Sequence, residues 1–84
     1  MDHGPTIDDT VALALVHRLC SDGTAHALRV KYGLSLKDVG LTIGGAESTI
    51  YRWEQGERVP RSGPRVVAYA SLLGRLLDLE SARA

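Results

Sequence analysis

Phenylalanine is absent from this chain of 84 residues, and three tyrosines with one tryptophan supply all of its aromatic surface. The core must therefore be built mainly from aliphatic side chains. A single cysteine, Cys20, excludes an intramolecular disulfide and a zinc site made of cysteine pairs, and a lone thiol suits a reducing cytoplasm. The longest strongly apolar run, "TVALALV" at residues 10–16, falls far short of the roughly 20 residues that span a bilayer. Asp2, Asp8 and Asp9 stand where a secretory signal would be basic, so a non-membrane, cytoplasmic protein is expected. The length fits one domain with one modest core, burying about 60% of the unfolded surface.

Net charge is also lacking, because ten basic residues balance ten acidic ones. That total hides a gradient. Residues 1–25 set four aspartates against Arg18 and sum to −3, whereas residues 26–65 set seven cations against four acids and sum to +3. The middle of the chain is its electropositive part, and any polyanionic partner would meet it there.

Helical punctuation is abundant. After an irregular "MDHGP", Thr6 with Asp8 and Asp9 starts a helix that should run to about Cys20, with Val11, Leu15 and Leu19 as its stripe and Ala12 and Val16 beside it. "SDG" then breaks the chain or bends a continuous helix, and a second helix over about 24–32 turns Ala27, Leu28 and Tyr32 inward before Gly33 caps it. Ser35 caps a third, "LKDVGLTI", where Asp38 completes a capping box and Leu36, Val39 and Ile43 repeat at helical spacing. Gly44 and Gly45 stop it. The fourth, "AESTIYRWEQ" at 46–55, points Ile50 and Trp53 inward and closes at Gly56. An arginine-bearing loop, "ERVPRSGP", leads to a last helix over about 64–81 with Val66, Val67, Ala70, Leu73, Leu76 and Leu77 on one broad stripe. No alternating run is long enough for a strand. The expectation is an all-α, five-helix domain over 1–84, and the tight turn between the third and fourth helices predicts a helix-turn-helix at 35–56.

The segment "LSLKDVGLTIGGAESTIYRWEQGERVP" resembles the helix-turn-helix of the Cro and phage-repressor (XRE-type) family. The matching positions are Leu34, Ser35, Val39, Ile43, Gly44, Ser48, Thr49, Ile50, Trp53, Glu54, Gly56 and Pro60. The likeness does not reach the first helix, which is an addition at the N-terminal side. The resemblance implies a lambda-repressor-like fold and a transcriptional regulator, a Cro-like repressor binding an inverted-repeat operator in double-stranded DNA. Two departures stand out: Leu36 replaces a phosphate-holding glutamine, and Gly40 replaces a small alanine at a cost of roughly 1 kcal/mol in helix propensity.

Site residues divide by helical face. Glu47, Ser48, Tyr51 and Arg52 fall opposite Ile50 and Trp53, where a recognition helix meets base edges in the major groove. Arg52 suits guanine O6 and N7; Glu47 either accepts from cytosine N4 or complements the helix dipole; Tyr51 either meets a thymine methyl or sugar or lies on the surface. Ser35, Lys37, Thr49, Gln55, Arg58 and Arg61 are the candidates for phosphate or minor-groove contact. Arg29 and Glu54 match family positions that form a buried ion pair, so their role is expected to be structural.

Other chemistries find little. His17 and Cys20 are three apart, but no four-ligand metal set follows, and the glycine-rich "GLTIGG" lacks both a preceding strand and a Gly-Lys-Ser/Thr sequence. Neither an enzyme nor a cofactor is expected. The leucines of the last helix exceed one stripe, so it packs on the first helix or forms a homodimer through the first or last helix. An antitoxin that binds a toxin partner and its own promoter is the alternative from another class, and an adaptor that has lost DNA binding is a third.

Overall fold

The computed structural model describes Gly4 and residues 6–83 and contains five α-helices and no strand among them. These are α1 (Ile7–Ser21), α2 (Thr24–Lys31), α3 (Leu36–Ile43), α4 (Glu47–Gln55) and α5 (Pro64–Arg83). The irregular start expected for residues 1–5 lies, Gly4 apart, outside the described residues.

Local chemistry sets the boundaries. Thr6 and Asp9 exchange hydrogen bonds at 3.0 Å each way, and Ser35 and Asp38 do the same at 2.9 and 2.8 Å, so α1 and α3 both begin with a complete capping box. α1 and α2 are separate helices. Gly23 stands between them at φ +83°, a left-handed turn that a side chain would strain, and Gly44 ends α3 at φ +76°.

The core joins Val16, Leu19, Leu28, Val39, Ile43, Ile50, Trp53, Val66, Tyr69 and Leu73 across all five helices. α1 packs most extensively on α5. Leu73 and Leu76 are buried and Leu72 and Leu77 half-buried, while Leu79 stays exposed. The Trp53 and Tyr69 rings stack at 5.5 Å with 30° between planes, which ties α4 to α5 at the centre of the domain.

Three side chains expected in the core lie elsewhere. Val11 is 60% exposed, because α1 turns the row Ala12, Val16, Leu19 and Cys20 inward and leaves Val11 one residue out of phase. In α2 the buried pair is Ala25 and Leu28, three apart, which rotates Ala27 to the surface. Val67 flanks the α5 stripe and is exposed, displaced by Tyr69, whose ring fills the space beside Trp53.

Candidate nucleic-acid interface

α3 and α4 are joined by three residues, Gly44 to Ala46, and approach so closely that the junction depends on a missing side chain. A Cβ built on Gly40 would stand 2.7 Å from the Gly45 carbonyl oxygen, closer than real Cβ atoms come. Alanine in place of Gly40 would push the turn away from α3. Gly45 N donates to Gly40 O at 2.9 Å and closes the same junction with a backbone bond.

Periodicity divides α4 into two faces. Ile50 is fully buried, Trp53 and Glu54 nearly so, whereas Glu47, Ser48, Tyr51, Arg52 and Gln55 are exposed and Thr49 is half-buried. The N-cap residue is Ala46, which has no side-chain oxygen to accept from the helix. The first N–H groups of α4 are therefore open to an external acceptor.

The buried side of α4 ends in an ion-pair cluster. Glu54, with 1% of its side chain exposed, accepts from Arg29 Nε at 2.6 Å on Oε2 and from Arg29 NH2 at 3.0 Å on Oε1. Arg29 NH1 also donates to the Leu34 carbonyl at 3.0 Å, so one guanidinium fastens both the end of α4 and the strap between α2 and α3. Hydrogen bonding to Glu54 pushes the Arg29 guanidinium further toward its charged form. His26 Nδ1 lies 2.9 Å from Glu54 Oε1 and completes the cluster. Its i,i+3 spacing to Arg29 on α2 was the available signal for that placement.

The remaining site residues sit on the surface around this frame. Lys37 is exposed in the first turn of α3, and Arg58 and Arg61 are exposed in the loop after α4. The Ser35 hydroxyl, exposed at the start of α3, accepts from Asp38 N at 2.9 Å. Asp38 is held below the usual carboxylate range by the Ser35 backbone N–H and hydroxyl, so it stays ionised as a cap.

Two further residues belong to the frame. Arg65, in the first turn of α5, donates from Nε to the Gly44 carbonyl at 2.9 Å and packs its Cδ 3.6 Å from the Cβ position of Gly45. It thus clips the turn between α3 and α4 to the last helix. His17, on α1, donates from Nε2 to the Pro60 carbonyl at 3.0 Å. No group of three or more metal-binding side chains occurs among the described residues. Nor is any described helix long and apolar enough to cross a membrane. Cys20 is buried, and that burial pushes its thiol up to about 11.

No family model matches this chain, and neither the curated proteins nor the solved structures gave a match.

Proposed function

We propose that this chain is a sequence-specific DNA-binding regulator of the Cro and phage-repressor (XRE-type) helix-turn-helix family, with a lambda-repressor-like fold extended by α1. The observation that carries the reading is the two-faced α4. One face is locked to the core through Ile50, Trp53 and Glu54, and the other presents Glu47, Ser48, Tyr51 and Arg52 to solvent directly after a three-residue turn. A helix held rigidly on one side and polar on the other is what reading a major groove requires.

Arg52 is the principal base reader in this account, as a fork for guanine O6 and N7. Ser35, Lys37, Thr49, Gln55, Arg58 and Arg61 contact phosphates, which Lys37, Arg58 and Arg61 also neutralise, and the uncapped start of α4 adds backbone donors to them. Leu36, half-buried at the start of α3, takes no part. The protein acts as a repressor by occupying an inverted repeat as a homodimer, for which Ile7, Val11 and Leu79 leave apolar surface exposed on α1 and α5.

Fluorescence anisotropy of duplex DNA titrated at several salt concentrations tests this reading. Three phosphates neutralised per subunit, by Lys37, Arg58 and Arg61, predict a slope of log affinity against log salt near −3 per subunit, about −0.9 per phosphate. Absence of binding at low salt contradicts it.

A further inference from the structure

Between α4 and α5 the chain runs from Gly56 to Gly63 without regular structure and carries Arg58 and Arg61. Backbone bonds hold its ends. Glu57 N and Arg58 N donate to the Arg52 carbonyl at 2.9 and 3.4 Å, and the Gly63 carbonyl accepts from Val67 N at 3.1 Å. Between these ends, residues 59–62 make one hydrogen bond among the described residues, from His17 Nε2 to the Pro60 carbonyl at 3.0 Å. The donor comes from α1, 43 residues earlier.

Packing adds little further restraint. Pro60 is buried, but Val59, Arg61 and Ser62 on either side of it are exposed. An open groove of about 330 Å³ lined by His17, Trp53 and Pro60 lies beside the contact. The Pro60 carbonyl can only accept, which requires the proton of neutral His17 on Nε2. An imidazole in that tautomer, half-buried on a helix that packs along α5, is a rigid post for an otherwise weakly held loop.

We propose that His17 is a positioning residue for the arginine loop, and that the use of the added first helix is to hold Arg58 and Arg61 where they meet the DNA backbone. The proposal rests on the DNA-binding reading above. His17 itself touches no DNA and acts through the two arginines. An ordered loop meets phosphate without the entropy cost of fixing it on binding, so losing the latch weakens binding to all sequences alike.

The test compares His17→Ala with His17→Gln, whose side-chain amide places an N–H donor near the position of the imidazole Nε2. Backbone ¹⁵N relaxation of the free protein reports loop order at Val59, Arg61 and Ser62. His17→Ala should lower their order parameters from about 0.8 toward 0.6 or less, and His17→Gln should restore them. Affinity for duplex DNA should fall about three- to tenfold in His17→Ala, the worth of one hydrogen bond, and recover in His17→Gln. In an Arg58→Ala, Arg61→Ala background the same His17→Ala change should leave affinity unchanged, which a general loss of stability would not do. The wild-type protein gives an independent check, since its long-range ¹H–¹⁵N spectrum should show neutral His17 protonated on Nε2.

Unchanged order parameters in His17→Ala, or a His17 protonated on Nδ1, would overturn the latch whatever the DNA result. An affinity loss that persists without the two arginines would overturn the positioning role. A loop that loosens and recovers as stated, in a wild-type protein that binds no DNA at any salt, would keep the latch and discard the DNA reading.

Discussion

Arg29 Nε and Glu54 Oε2 lie 2.6 Å apart, and through that contact α2 holds the last turn of α4. Glu54 is buried, so deleting its partner leaves a carboxylate with only the half-exposed His26 to answer it. Arg29→Ala should cost about 3–5 kcal/mol by urea denaturation. Replacing both residues with apolar ones of similar size should recover much of the loss, because the penalty arises from the stranded charge. An Arg29→Ala protein with an unchanged urea midpoint would show that the pair does not hold α4.

Gly40→Ala sets two effects against each other. Alanine gains roughly 1 kcal/mol of helix propensity over glycine. Its Cβ, however, meets the Gly45 carbonyl at 2.7 Å, a backbone atom that cannot turn aside. Overpacking of this kind costs about 1–3 kcal/mol, so the variant should be less stable by up to about 2 kcal/mol. A higher melting temperature for Gly40→Ala would mean that the turn can move away freely.

Stability should fall at both ends of the pH scale, for different groups. Thr24, through side chain and backbone, lowers the pKa of Asp22; the Ser35 N–H lowers that of Asp38; Lys31 and then Tyr32 lower that of Glu80. Depressed native values mean that the unfolded chain takes up protons first. Their contributions are present above the ordinary carboxylate range and are lost as pH falls through it to the native values. The Cys20 thiol is pushed up to about 11 by burial, against about 8.5 in an unfolded chain, so its contribution is present below 8.5 and declines as pH rises toward 11. Urea midpoints measured from pH 3 to pH 10 should trace both limbs, and Cys20→Ala should flatten the alkaline one.

Much of the fold was legible because it is written in short-range chemistry. Thr6 with Asp9 and Ser35 with Asp38 are capping boxes whose spacing is visible in the chain, and Gly23, Gly33, Gly44 and Gly56 all take the left-handed backbone that ends or separates helices. Helix phase was harder to read. Ala25 is small enough to pass for a surface residue, yet it is buried, while Val11 and Ala27, expected inward, face out. Tyr69 carries a hydroxyl that argues against burial, yet the residue is 1% exposed and its ring stacks on Trp53. The faces of α4 followed from spacing alone, whereas His17 on Pro60, His26 on Glu54 and Arg65 on Gly44 join residues that only the tertiary fold brings together.

The central claim is that the exposed face of α4 reads DNA sequence, and selection of bound duplexes from a random pool, run with the wild-type protein and with Arg52→Ala, tests it most directly. The account predicts an inverted repeat for the wild type, and for Arg52→Ala a relaxed preference at one guanine in each half-site with a loss of about 1–3 kcal/mol. An unenriched pool with the wild-type protein, or an Arg52→Ala selection with the same sequence preference at every position, would contradict it.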